Sequence, residues 1–537
     1  MRAKRILATG RCVTLAALAL TAGCGGGGGG EASPIIGGIG GGGGGSGSGG
    51  SWTQGVFPPA AQFQARCENP RSGNDPDGNP WPDRQGSFLD ENNFLRSYSD
   101  DTYLWYREIV DRDPSLYPDT LAYFDLLKTT ATTASGSPKD NFHFTFDTDE
   151  WLALSESGVS GGYGAEFVLI SASPPREIVV AYTNPGTPAA AAGIVRGTEV
   201  LTIDGVDVAN GSDVDTLNDG LFPSAPGENH DFEILDPDGT RRTVTLRSEL
   251  ITSQPVLDVR TLPAPNGDVG YLLFNDHIAT AEAQLVSAIQ ELDDLNVTDL
   301  VLDLRYNGGG FLAIAAQLSY MIAGPVATNG RTFELLQFND KYPNTNPVTG
   351  EDLDPVPFYP QTLGFSVSAG TSLPSLDLSR VYVITGSGTC SASEAIINGL
   401  RGIGVEVIQI GSTTCGKPYG FYGTDNCGTT YFTIQFRGVN DANFGDYADG
   451  FIPSPAGTSA GSEVPGCVVG DDFSRALGDV TEDRLSAALT YRATGNCPAL
   501  ATLSDDPERA RLRMGPDNPV TLPNQPWRQN RMMVAPR

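Results

Sequence analysis

The sequence predicts a multidomain α/β protein: a small N-terminal helical domain, a β-domain, and a larger α/β domain. Three observations carry that expectation. Aromatic and apolar residues recur at helical spacing at Phe94, Tyr98, Tyr103, Leu104 and Tyr106. Short strand-like runs broken by Gly, Pro and Asp turns fill 158–248. Between 255 and 500, apolar strand-like runs alternate with amphipathic stretches, the pattern of helices packed on a central sheet.

The 537 residues exceed what one core holds, since domains run to roughly 100–200 residues. With 64 acidic against 34 basic side chains, the formal charge is -30. Such a surface repels phosphate backbones, so nucleic-acid binding is disfavoured.

Arg2, Lys4, Arg5 and Arg11 form a basic n-region ahead of the apolar run 13–22. That run is too short to cross a ~30 Å bilayer core as a helix and suits a signal peptide spanning 1–23. It closes on Leu20-Thr21-Ala22-Gly23-Cys24, which resembles a bacterial lipoprotein box with Cys24 lipidated after cleavage. Thr21 stands where leucine is commonest, and plain secretion is the competing reading. Gly25 after the cysteine fits an envelope protein facing the periplasm at the outer membrane, held to the membrane only through lipid. Residues 24–57 are mostly Gly and Ser and read as a flexible tether.

Export permits disulfides. Beyond Cys12 and Cys24, six cysteines remain: Cys67, Cys390, Cys415, Cys427, Cys467 and Cys497. Short separations favour the pairs Cys415–Cys427 and Cys467–Cys497. A zinc site competes poorly, because no CxxC pair occurs and no histidine lies near these cysteines.

The helical domain is expected over 58–155, where the stretch 117–127 follows the aromatic stripe. The β-domain spans 156–250. Within it, the Ala-rich run 186–194 leads to Arg196-Gly197-Thr198-Glu199-Val200-Leu201-Thr202-Ile203-Asp204-Gly205, a short helix, a tight turn and a strand ending at a reverse turn. This resembles a PDZ domain. The segment Gly162-Tyr163-Gly164-Ala165-Glu166-Phe167 then resembles the loop that receives a peptide's C-terminal carboxylate, which makes Tyr163, Gly164, Ala165 and Phe167 the candidate peptide-binding residues. The α/β domain spans 251–500, with strands at 270–274, 299–304, 381–384 and 405–410 and a helix at 279–292. The tail 501–537 is rich in Pro, Asn and Arg.

Three segments of the α/β domain carry chemistry. Asp303-Leu304-Arg305-Tyr306-Asn307-Gly308-Gly309-Gly310 ends a strand, and glycines there make a tight turn whose backbone N–H groups are open to an oxyanion. Gly386-Ser387-Gly388-Thr389-Cys390-Ser391-Ala392-Ser393-Glu394 makes a strand-to-helix turn. Composition alone leaves Ser387, Ser391 and Ser393 as candidate nucleophiles, and Ser391 with Glu394 also fits a plain capping box. Gly411-Ser412-Thr413-Thr414-Cys415-Gly416-Lys417-Pro418 follows the next strand, and an isolated lysine there would ordinarily be a solvated charge.

Together the segments resemble the C-terminal processing peptidases, or tail-specific proteases, especially their PDZ-containing bacterial lipoprotein members. The resemblance implies a ClpP/crotonase-like peptidase domain and selects Ser391, three residues before Glu394, as nucleophile. It makes Lys417 the general base and Glu394 a third polar residue of the site. The backbone N–H groups of Gly309, Gly310 and Ala392 would be oxyanion donors. No cofactor is implied, and the partners would be proteins and peptides with accessible C-termini. A glutamine common after the family's lysine is absent, since Pro418, Tyr419, Gly420 and Phe421 follow.

A serine hydroxyl needs a neighbouring base, and a lysine serves only when burial disfavours its charge. A Ser-His-Asp triad is the rival mechanism, with only His143, His230 and His277 to draw on and no Gly-x-Ser-x-Gly around Ser391. A catalytically inactive PDZ-containing envelope scaffold is the alternative function.

Overall fold

The computed structural model describes residues 52–75, 78–171 and 173–498, with the backbone of two short strands, Val520–Leu522 and Arg531–Met532. The signal segment, Cys24 and nearly all of the Gly/Ser tether lie outside the described residues.

A seven-stranded sheet forms the centre of the α/β part. Its order is Val256–Leu262, Val269–Phe274, Asp299–Asp303, Arg380–Thr385, Glu406–Gly411, Glu463–Val468 and Ile452–Ser454. The first pair is antiparallel and every other pair is parallel. Parallel strands covered on both faces read as continuous apolar runs, as 269–274 and 381–384 do. Successive side chains point to opposite faces. Leu272, Leu300, Leu302 and Val383 therefore pack with Leu285, Leu312 and Ile396 of the helices Ala281–Asp294, Leu312–Thr328 and Ala392–Gly402. Tyr271, Val301, Tyr382 and Ile384 pack instead with Leu485 and Ala488 of the helix Asp483–Thr494.

The N-terminal stretch is helical where the aromatic stripe predicted. Ser87 caps the helix Phe88–Thr102, accepting from the Asp90 N–H at 3.3 Å, with Asp90 and Glu91 in the first turn. This stretch shares the α/β core, however. Tyr103, Phe142, Phe144, Trp151 and Leu154 join the same apolar cluster as the central sheet. The strand Phe144–Asp147 pairs antiparallel with Thr429–Phe432, and Cys67 is bridged to Cys427.

That bridge corrects the pairing expected for Cys415 and Cys427. Among the described residues the disulfides are Cys67–Cys427, Cys390–Cys415 and Cys467–Cys497. Nearness in sequence misled because Cys415 and Cys427 leave their loop toward different neighbours.

The β part is an antiparallel sheet ordered Arg241–Arg247, Asn229–Leu235, Glu199–Ile203, Glu177–Thr183, Ala165–Ser171 and Val520–Leu522, with Val206–Asp207 beside Glu199–Ile203. Its own core gathers Tyr163, Phe167, Val180, Ile203, Phe232 and Leu246 against Leu217 and Leu221 of the helix Val214–Leu221.

Buried charge joins the two parts. Arg196 of the β part donates to Asp471 Oδ1 at 2.6 Å and to the Tyr306 hydroxyl at 2.6 Å. Arg305 donates to Asp471 and Glu482, both at 2.8 Å, and to Asp303 at 2.9–3.1 Å. Burial alone would push the Asp471 carboxyl up, but Arg196, Arg484 and Arg305 outweigh it and hold the group far below its ordinary range.

Two buried histidines are expected to make the fold acid-sensitive. Burial lowers His143 from 6.5 to about 4 and His277 from 6.5 to about 3. Below pH 6.5 the unfolded chain binds protons that the folded one refuses, so stability falls as pH drops through 6.5 toward 4 and 3. Each histidine is expected to cost about 2 kcal/mol between neutrality and pH ~4.5. Urea unfolding of the chain and of His143→Gln checks this: the variant shows a shallower loss with acid. Equal slopes would remove His143 from the explanation.

Candidate active site

The carboxyl ends of three adjacent parallel strands converge. Asp299–Asp303 feeds the loop 304–310, Arg380–Thr385 feeds the turn 386–391, and Glu406–Gly411 feeds the loop 412–417. In open α/β sheets, sites form outside these ends.

The three segments are laced together by buried hydrogen bonds. The Thr389 hydroxyl donates to Leu304 O at 2.7 Å, and Cys390 N–H donates to Asn307 O at 3.1 Å. Cys415 N–H donates to Thr389 O at 3.0 Å, and the Cys390–Cys415 bridge ties the same two loops covalently. The bridge therefore joins the residue before Ser391 to a residue two positions before Lys417.

Ser391 sits at the N-cap of the helix Ala392–Gly402 with φ 59° and ψ -110°. A positive φ is costly for a residue bearing a Cβ and persists only where surroundings enforce it, commonly at functional turns. Ser391 and Lys417 are both fully buried. The Lys417 ammonium nitrogen lies 4.6 Å from the Phe142 ring centre and 4.4 Å from that of Phe421.

Glu394 holds the two residues in register. Its Oε2 accepts from Ser391 N–H at 2.9 Å and from Lys417 N–H at 2.8 Å. Its Oε1 accepts from Gly416 N–H at 2.9 Å and from the Thr414 hydroxyl at 2.5 Å. Burial pushes the Glu394 carboxyl up, and the bonds from Thr414, Lys417, Ser391 and Gly416 offset this only in part. One carboxylate thus positions the backbone on both sides of the site. Glu394→Ala is expected to lower kcat by ~10²-fold with little change in KM, and Glu394→Gln to recover part of it, as steady-state kinetics on an unfolded protein would measure. A KM effect alone would assign Glu394 to substrate binding instead.

Glycine is required at Gly416, whose φ is +84° and where a Cβ would come within 2.3 Å of Ala448 O. Gly310 is similar, with φ +136° and His277 O at 2.5 Å from a Cβ.

Other candidates fall differently. Ser393 is committed, its hydroxyl donating to Asn307 O at 3.0 Å. Gly309 needs correction as an oxyanion donor: its N–H donates to Asn307 Oδ1 at 3.0 Å. Ala392 opens its helix and so has no intrahelical acceptor for its N–H. Tyr163 is buried, its hydroxyl donating to Gly220 O at 2.9 Å, and Phe167 fills the β core. Gly164 and Ala165 lie at the entry to the strand Ala165–Ser171, with Gly164 O accepting from Asn184 N–H at 2.8 Å.

Each histidine has a ring nitrogen bonded to another partner. His143 bonds Phe124 O at 2.8 Å and Thr433 Oγ1 at 3.1 Å, and His230 bonds Asp204 at 2.7 Å. His277 Nδ1 bonds Asn307 Oδ1 at 2.9 Å, while Asn307 Nδ2 donates to Phe274 O at 2.9 Å. His277 and Asn307 therefore brace the glycine loop, a role that no sequence motif signalled.

Residues 268–420 match peptidase family S41, a span containing all three segments that meet at this site. The chain carries a peptidase family S41 domain. The resemblance to the C-terminal processing peptidases is thereby borne out. A carboxyl-terminal-processing protease of Picosynechococcus is 32% identical over 177 residues, which covers 31% of this chain and 40% of that protein. A chloroplastic C-terminal processing peptidase of Tetradesmus obliquus is 30% identical over 185 residues, covering 32% of this chain and 39% of its own length. The chain thus spans about 40% of the length of these curated relatives. A putative S41 protease of Bacteroides fragilis shares the fold, with a TM-score of 0.55 at 23% identity over 78% of this chain and all of that one.

Proposed function

We propose that the S41 domain is a serine endopeptidase in which Ser391 is the nucleophile and Lys417 its general base. The observation that carries this reading is the pair of fully buried residues on adjacent strand-end loops, both positioned by Glu394. Two opposing effects act on Lys417. Complete burial opposes a charged amine by as much as ~4–7 kcal/mol. Each of the two ring faces returns at most ~2 kcal/mol to an ammonium. Complete burial is the feature that lets Lys417 be read as a base, because it disfavours the charged form.

Lys417 Nζ then takes the Ser391 proton as Oγ attacks the peptide carbonyl. The same proton passes to the leaving amine as the C–N bond breaks. Water next attacks the acyl ester, regenerating Ser391 and releasing the new carboxyl end. The helix N-terminus at Ala392 and the amide of Gly310 would stabilise the oxyanion, contributing ~3–4 kcal/mol each.

The β part is read as a PDZ-like module that captures unstructured protein C-termini by strand addition along Ala165–Ser171. Export to the cell envelope, with a lipid anchor at Cys24, agrees with three disulfides, which persist in oxidising compartments. Among the described residues, no helix is long and apolar enough to cross a membrane.

The test is incubation of the purified chain with a permanently unfolded protein, followed by gel and mass analysis. Cleavage that disappears in Ser391→Ala supports the reading. An intact substrate with the native chain overturns it.

A further inference from the structure

The strand Ala165–Ser171 would be the open edge of its sheet if another segment of the chain did not lie along it. Val520–Leu522 pairs antiparallel there, Val520 opposite Leu169, Thr521 opposite Val168 and Leu522 opposite Phe167. Further along, Arg531–Met532 pairs in parallel with Gly310–Phe311, the end of the glycine loop. The same short strand also lies beside Tyr419–Gly420, which follows Lys417 by two residues. One continuous stretch of chain therefore meets both the capture edge and the rim of the catalytic loops. The nine steps from Leu522 to Arg531 can reach ~30 Å when extended.

An open sheet edge offers unpaired N–H and C=O groups to any extended peptide, whatever its sequence. The antiparallel direction of Val520–Leu522 carries the chain toward the loop at Tyr163 and Gly164, the direction in which a captured peptide would run. Unlike a peptide held by its end, this segment continues past Leu522 and meets the edge as an internal stretch. Ser391 and Lys417 are both fully buried.

We propose that Val520–Leu522 and Arg531–Met532 are a built-in peptide ligand of this track, meeting the capture edge and the cleft rim in competition with protein substrates. The proposal rests on the peptidase reading for its consequence but not for its binding site. A tethered segment faces its site at an effective concentration that reaches the millimolar range. An external peptide must displace it, so the resting enzyme favours long, unstructured chains that engage both points over short peptides that engage one.

The test uses full-length Ser391→Ala chain, which separates binding from catalysis, and a fluorescent synthetic peptide of residues 515–537 as probe. In a second version, Thr521→Pro and Met532→Pro remove backbone N–H groups from the two short ladders. The proline version is expected to bind the probe at least tenfold more tightly than the chain with its native tail. Equal affinity for both versions overturns the proposal, and so does failure of both to bind. With Ser391 restored, the proline changes should lower KM for an unfolded protein at least severalfold. An unchanged KM in a chain that still cleaves overturns the competition while leaving the peptidase intact. If neither chain cleaves, the peptidase reading fails, and the probe affinities still decide whether the tail occupies the track.

Discussion

Lys417→Met is expected to fold as stably as the native chain but to hydrolyse an unfolded protein at least ~10³-fold more slowly. The side chain lies between the Phe142 and Phe421 rings, fully buried, so methionine keeps the apolar contacts while removing only the amine. Replacing a buried ionisable group by an apolar one of similar length tends to be neutral or stabilising. Catalysis should fare differently. His143 Nε2, His230 Nδ1 and His277 Nδ1 already bond other partners, so Lys417 is the base whose removal should matter most. Ser391→Ala should lose as much as Lys417→Met, and the double variant no more than either, because the two residues act as one unit. Steady-state rates together with thermal unfolding check this. A variant that keeps its rate would mean that another group takes the proton.

Arg305→Leu should cost about 3–5 kcal/mol of stability, the largest expected effect away from the dyad. Its guanidinium is fully buried and bonded to Asp303, Asp471 and Glu482. The cluster balances Arg196, Arg305 and Arg484 against those three acids. Removing one guanidinium leaves a buried carboxylate uncompensated, which far outweighs the transfer energy gained by a leucine. The loss should also reach the active site, because Asp303 ends the strand that launches the glycine loop and Arg305 lies within that loop. Urea unfolding and peptidase rates on the same sample test both halves. A change below ~1 kcal/mol would mean that water or rearranged neighbours replace the lost charge.

Periodicity made the sheet legible. The apolar runs at 270–274, 299–304, 381–384 and 405–410 became the four central parallel strands, shifted by a residue at their ends. The resemblance to the C-terminal processing peptidases selected Ser391 and Lys417, which lie on neighbouring strand-end loops. Contacts between residues far apart in sequence were not legible. Phe144 and Cys67 look local, yet one pairs with Phe432 and the other is bridged to Cys427. A capping box could be read at Ser391 and Glu394, but the bonds from the Gly416 and Lys417 amides depend on a loop more than twenty residues away. Gly309 illustrates the same limit: a glycine run announces exposed amides, and only the fold reveals that Asn307 has taken one. The tail shows no strong pattern at Val520–Leu522 because edge pairing uses backbone groups, which every non-proline residue carries.

Serine activation by a dry lysine is tested most directly by covalent labelling. The chain and Lys417→Met would each be treated with a fluorophosphonate, and the adduct located and timed by peptide mass spectrometry. If Lys417 deprotonates Ser391, the adduct maps to Ser391 and forms at least ~10²-fold more slowly in the methionine variant. Labelling at equal rates in both chains, or an adduct on Ser387 or Ser393, would contradict it.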